Sequence, residues 1–240
     1  MDYKFSAIIL AKRDIREFDR MYTAYTKEIG KTRIVARGVR KPNSKLAGNI
    51  EPITECELFV AKNKGRGQLT GAIATSNFIR IKTEIELTKR VFYAFSILRR
   101  IMTDEEKDEK IFYLLENYLE TMDKINLDDK LSMRADILTS GFIFKLFDFL
   151  GYMIEAQKCV SCEEKLSGEN NYFSMKGGGV LCERCHGREA RKVKVSRAAI
   201  KILRIFSANK LDNLVKLSVP KEDVRNIKIV LEEMVRWTTG

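Results

Sequence analysis

The sequence predicts an α+β multidomain protein: β-strands over residues 1–80, helices over 81–240, and a cysteine-bearing insert at 156–190. Three observations carry that prediction. The hydrophobic repeat changes from about two residues to about 3.6 near Thr83. Positive charge is concentrated in the first third, where residues 1–80 hold 16 Lys/Arg against 8 Asp/Glu. Four of the five cysteines fall in two C-x2-C pairs.

The strands come first. Tyr3 to Ala11 and Phe18 to Thr26 show short apolar or alternating runs around a charged turn, Lys12-Arg13-Asp14. Lys31 to Val39 alternates through Arg33, Val35 and Arg37. Glu55 to Ala61 and Gln68 to Ala74 read as a hairpin across the Gly- and Lys-rich segment 62–67. Five short strands with polar turns suggest a small barrel or sandwich. The long connection from Arg40 to Ile53, with Pro42, Gly48 and Pro52, reads as irregular.

Helical spacing follows: Thr88, Val91, Phe92, Phe95, Leu98 and Met102, then Phe112, Leu115, Leu119 and Met122, then Met133, Ile137, Phe144 and Phe147. Residues 137–154 are apolar nearly all round, the pattern of a helix enclosed by others. Lys145 and Asp148 near its middle argue against a membrane span, since each costs about 2.5–3.5 kcal/mol in hydrocarbon. After an irregular stretch at 158–190, helices resume with Ser196 as an N-cap and Pro220 in a first turn.

The chain of 240 residues, 45% apolar, can bury a core, and its formal charge of +11 favours polyanionic partners. Asp2 and the short apolar run that follows give no export signal, so a cytoplasmic protein with reduced thiols is expected. The pattern Cys159-x2-Cys162-x19-Cys182-x2-Cys185 is then a candidate site for one structural zinc ion. Four thiolates close a tetrahedron and leave no open position for catalysis. Two other readings compete. A single C-x2-C redox dithiol would need a thioredoxin-like context, and Cys182 to His186 matches the haem-attachment pattern C-x-x-C-H. His186 reads as a neighbour of the metal, and Cys56 as a buried small hydrophobe.

Catalytic patterns are missing. The single histidine removes most Ser-His and Cys-His arrangements, and there is no G-x-x-x-x-G-K-[ST] loop for ATP. No enzyme activity is expected. A five-stranded barrel with net charge +8 fits instead an oligonucleotide-binding (OB) fold. Candidate phosphate contacts are Arg13, Arg16, Arg20, Lys27, Lys31, Arg33, Arg37, Arg40, Lys41, Lys45, Lys64 and Arg66, with Tyr22 and Tyr25 as rings for base stacking or for the barrel core.

A run of short segments then carries a family resemblance: Ala7-Ile-Ile-Leu10, Phe18-Asp-Arg20, residues 26–31, Ala36-Arg-Gly-Val-Arg-Lys-Pro42, Leu46-Ala-Gly48, Ile50-Glu-Pro52, Phe112-Tyr-Leu-Leu115, Gly151-Tyr152 and the Gly178-Gly179 approach to Cys182. In that order and spacing the chain resembles the RecO family of bacterial recombination mediators. The resemblance implies an OB barrel, a helical domain with an inserted zinc finger, and binding of single- and double-stranded DNA. It also implies annealing of complementary strands without ATP and loading of recombinase onto strands coated by single-strand-binding protein. The partners implied are RecR and the acidic C-terminal tail of that protein. Two positions depart from the pattern: Met153-Ile154 where a proline is usual, and Glu163 where a glycine is usual.

The helix from Ser196 places Arg197, Lys201 and Arg204 on one face, a candidate groove for an acidic tail or DNA. A zinc-stabilised adaptor, whose basic barrel takes RNA or a protein, is the rival reading.

Overall fold

The computed structural model describes residues 2–61, 67–166, 169–189 and 191–239. Contacts divide the chain into two compact units, 1–123 and 124–240.

The first unit opens with a closed barrel of five strands, β1 (Asp2–Asp14), β2 (Arg20–Thr26), β3 (Gly30–Ala36), β4 (Glu55–Ala61) and β5 (Gln68–Ser76), in the order β1-β2-β3-β5-β4. All pairings are antiparallel except the closing one between β3 and β5, where Val35 N–H donates to the Gly67 carbonyl at 3.0 Å. Alternation along the strands sends Phe5, Ala7 and Ile9, Tyr22 and Ala24, Ile34 and Ala36, and Cys56, Leu58 and Val60 into one interior cluster. Val39 and Ile50 in the connection between β3 and β4, whose only regular turn among the described residues is a 3-10 helix at Ala47–Asn49, add to that cluster, so a largely irregular segment still contributes to the core. Cys56 is buried there, and burial pushes its thiol up to about 12.

Two details differ from the sequence reading. Lys12-Arg13-Asp14 is not a turn: a bulge between Ile9 and Ala11 lets β1 continue to Asp14, and residues 15–19 make the turn. Tyr22 and Tyr25 are both buried, and the Tyr25 hydroxyl donates to the Asp108 carbonyl at 3.2 Å. Neither ring is available for base stacking.

Helices α1 (Ile79–Thr83), α2 (Ile85–Ile101) and α3 (Glu109–Asp123) complete this unit. The connector after α2 is locked to the barrel. Glu105 N–H donates to the Lys31 carbonyl at 2.7 Å, and Lys31 Nζ reaches Asp104 Oδ1 and the Arg99 carbonyl, both at 2.9 Å. Gly30 has φ of 73°, and a Cβ there would lie 1.9 Å from the Glu106 carbonyl oxygen, so no other residue fits without backbone movement.

The second unit is built on α4 (Leu131–Phe149), buried from Ala135 to Phe147 almost without interruption. It ends at Phe149, earlier than the apolar run suggests, because Gly151 turns the chain at φ of 85°. No helix among the described residues is long and apolar enough to cross a membrane. The stretch 158–190 is more regular than its sequence suggests: β6 (Asn171–Ser174) pairs with β7 (Gly179–Leu181) on one side and β8 (Lys192–Val195) on the other. Helices α5 (Arg197–Ala208), α6 (Leu211–Leu214) and α7 (Lys221–Thr239) follow. The Ser196 hydroxyl accepts from Ala199 N–H at 3.0 Å, the expected N-cap. Pro220 sits one position before the helical run of α7, its carbonyl accepting from Val224 N–H at 3.2 Å.

Candidate metal centre and nucleic-acid interface

The two cysteine pairs sit on tight turns that share one pattern. Glu163 N–H donates to the Cys159 carbonyl at 2.9 Å, and Cys185 and His186 N–H donate to the Cys182 carbonyl at 3.1 and 3.2 Å. The turns are drawn together by Val160 N–H to the Val180 carbonyl at 3.0 Å and Cys182 N–H to Cys159 Sγ at 3.4 Å. Gly179 makes that approach feasible, since a Cβ would stand 2.3 Å from the Glu155 carbonyl oxygen.

As a result the four Sγ atoms of Cys159, Cys162, Cys182 and Cys185 all lie within 4.8 Å of one another. A tetrahedron of zinc–sulfur bonds about 2.3 Å long has edges of about 3.8 Å. The Sγ atoms of Cys162 and Cys182 are 3.8 Å apart, so the donor set fits a tetrahedral metal ion. Both pairs converge on one point, an arrangement that separate redox or haem readings of a single pair leave unexplained. His186 is outside the quartet: its ring stacks on Tyr172 at 4.1 Å, and its buried Nδ1 has no hydrogen-bond partner among the described residues.

The basic residues of the barrel divide into three groups. Lys31 is buried and committed to the connector, which removes it from the exposed set. Arg20, Arg33 and Arg40 are paired with Asp14, Asp104 and Asp14 respectively, and Lys27 lies over the Tyr113 ring at 4.9 Å. Arg13, Arg16, Arg37, Lys41 and Lys45 are exposed with no carboxylate partner among the described residues. Lys64 and Arg66 lie outside the described residues.

Two contacts bring much of the exposed set together. Arg40 N–H donates to the Phe18 carbonyl at 3.1 Å, and Gly38 N–H donates to Asp19 Oδ1 at 2.8 Å. The β1–β2 turn and the start of the long connection are thus clasped side by side, with Arg16 on one and Arg37, Arg40 and Lys41 on the other. Phe18 is exposed at this clasp, with Lys41 Nζ 5.9 Å above its ring. At the clasp the aromatic group facing solvent is therefore Phe18, and neither Tyr22 nor Tyr25. Its signal in the sequence was a large ring isolated in a charged turn.

On α5, Arg197 and Lys201 are exposed, whereas Arg204 donates to the Ala156 carbonyl at 2.7 Å and the Gln157 carbonyl at 3.3 Å, anchoring the approach to Cys159. A cleft of about 640 Å³ next to Arg197 carries Lys194 and Arg225 but also Glu169, Glu222 and Asp223. It is balanced in charge rather than basic.

Two family profiles match the chain: Recombination protein O N terminal over residues 1–78, and Recombination protein O C terminal over residues 84–240. The chain belongs to the RecO family. Its similarity to curated RecO proteins runs nearly end to end. The chain is 28% identical to the DNA repair protein RecO of Dehalococcoides mccartyi strain 195 over 98% of its own length and 90% of that protein's. It is 31% identical to the one from Roseiflexus sp. strain RS-1 over 88% and 71%, and 27% identical to the one from Halalkalibacterium halodurans over 97% and 88%.

The departures from the RecO pattern have local consequences. Glu163 adopts φ of 60°, the left-handed region where glycine is at ease, so this chain carries a strained residue beside the cysteine quartet. Just after the other departure, Met153-Ile154, the chain is held at Glu155, which pairs with Gly179, accepting from Val180 N–H at 2.9 Å and donating to the Gly178 carbonyl at 3.0 Å. Met153 itself is 74% exposed.

Proposed function

We propose that this RecO family member is a recombination mediator that binds single- and double-stranded DNA, anneals complementary strands without ATP, and helps load recombinase onto strands coated by single-strand-binding protein. The observation that carries this reading is the clasp of the β1–β2 turn and the long connection, which groups Arg16, Arg37, Arg40 and Lys41 around the exposed ring of Phe18 on an OB barrel. Cations there neutralise phosphates, and the ring offers a stacking platform for an unpaired base. Annealing needs little more, because mutual phosphate repulsion is the barrier between two complementary strands. Arg13, Arg33 and Lys45 are further exposed cations of the same unit.

In this reading the cysteine quartet holds one structural zinc ion, which orders a segment too small and polar to fold on its own core. RecR and the acidic tail of single-strand-binding protein are the partners, with Arg197 and Lys201 on α5 offering charge to the tail. Catalysis has no place in it.

The test is annealing of complementary oligonucleotides without ATP, alongside binding as a function of salt. Single-strand affinity should fall with a slope of about 0.7 per phosphate contact. Charge reversal at Arg37, Arg40 and Lys41 should weaken binding more than about tenfold at low salt, while reversal at Lys107 and Lys110 should change it less than about twofold. Equal effects of the two sets would remove the clasp from the site. Absence of annealing would favour an adaptor.

A further inference from the structure

Beside the clasp, three cations and two carboxylates form a connected chain of ion pairs. Arg20 Nε donates to Asp14 Oδ1 at 2.6 Å, and Arg20 Nη1 stands 3.7 Å from Glu51 Oε1. Arg40 Nη1 approaches the second oxygen of Asp14, Oδ2, at 3.3 Å. Lys12 Nζ is paired with the second oxygen of Glu51, Oε2. Each carboxylate therefore uses its two oxygens to bridge two different cations, as the two non-bridging oxygens of a phosphodiester can. None of the five side chains is enclosed; they range from 21% exposed for Arg20 to 48% for Asp14. Lys12 is not among the cations that charge counting along the strands and loops singles out.

We propose that Asp14 and Glu51 are internal occupants of two phosphodiester positions, holding Lys12, Arg20 and Arg40 in bound geometry until a nucleic acid strand displaces them. This rests on the reading that the barrel binds nucleic acid, and it adds Lys12 to the contact surface. Half-exposed ion pairs of this kind are weak and exchange readily, so a polyanion can replace them without unfolding the hairpin. Until then the carboxylates keep the long cationic side chains ordered, and less freedom is lost on binding. They also compete with every phosphate, which makes binding weaker and less salt-dependent than the number of cations would suggest.

The experiment measures binding of a fluorescent oligodeoxythymidine, which cannot pair with itself, over a range of salt. The double variant Asp14→Asn with Glu51→Gln removes the competitors while keeping side-chain shape. It should bind about 3- to 10-fold more tightly at low salt, with a slope steeper by about 1.4, equivalent to two added phosphate contacts. A control pair, Glu57→Gln with Asp128→Asn, changes net charge equally at ion pairs that share no residue with the Lys12–Glu51–Arg20–Asp14–Arg40 chain. It should change affinity less than about twofold. Lys12→Gln alone should weaken binding about threefold and flatten the slope by about 0.7.

Unchanged or weaker binding by the double variant overturns the proposal, as does equal tightening by the control pair or an inert Lys12→Gln. If wild-type protein fails to bind the oligonucleotide, the functional reading falls and this inference with it. Normal wild-type binding without tightening removes only the inference.

Discussion

The barrel and the cysteine-bearing segment hold themselves together by different means. In the barrel, strands of seven to thirteen residues alternate, and their inward side chains close over a continuous apolar cluster from Phe5 to Ala72. Between Ala156 and Val195 the strands are three or four residues long, and among the described residues the buried apolar side chains are few: Ala156, Phe173, Met175, Val180, Leu181 and Val195, beside Cys159. A patch that small cannot offset the conformational entropy of ordering some forty residues, about 1–2 kcal/mol each for the backbone alone. Where apolar area runs short, four sulfurs converging on one point take its place. The barrel is organised by burial, and the cysteine segment, on the zinc reading proposed above, by coordination, so the two should fail under different insults.

The sharpest way to break this comparison is to take the metal away. Structural zinc supplies roughly 10–16 kcal/mol in small peptide sites. Chelation, or Cys159→Ser, should therefore make residues 158–189 rapidly exchanging by hydrogen–deuterium exchange, with metal analysis falling from about one zinc per chain to none. The barrel's exchange and its oligonucleotide binding should persist. Loss of barrel protection on chelation would mean that the two regions do not fold independently.

The complementary insult is Gly30→Ala. The added Cβ meets the Glu106 carbonyl in a left-handed residue, so the connector that grips Lys31 must move. Chemical denaturation should show a loss of roughly 2–4 kcal/mol in the first unit, with metal content unchanged. A neutral outcome would mean that the grip on β3 is dispensable.

A smaller and opposite effect is expected from Glu163→Gly. Relief of φ near 60° should stabilise the first cysteine turn by about 1 kcal/mol, read as metal affinity about fivefold tighter in a chelator competition. If affinity falls instead, the Lys158–Glu163 ion pair at 3.1 Å outweighs the backbone strain.

Much of this architecture was legible in the sequence. The change of hydrophobic period placed the strands and the long helices, and the paired cysteine spacing predicted the quartet. Each of these signals is local or periodic. The strands of the cysteine segment escaped because runs of three or four residues are too short to show a period. The extension of β1 escaped because a bulge hides inside an apolar run.

The fate of individual side chains was decided only by closure of the fold, because their partners lie far away in the chain. Lys31 and Arg33 looked like any other strand cations until a connector some seventy residues later brought Asp104 to them. Tyr25 is buried on the outer face of the barrel, where the carbonyl at Asp108 accepts its hydroxyl, whereas Tyr22 points into the barrel interior. Arg20 and Arg40 met Asp14 through pairing of the first hairpin and the return of the long connection. Composition and periodicity determined which regions would be apolar, cysteine-paired or basic, since those depend on residue type and spacing. Which cations face solvent depends on long-range pairing, and only the tertiary structure sets that.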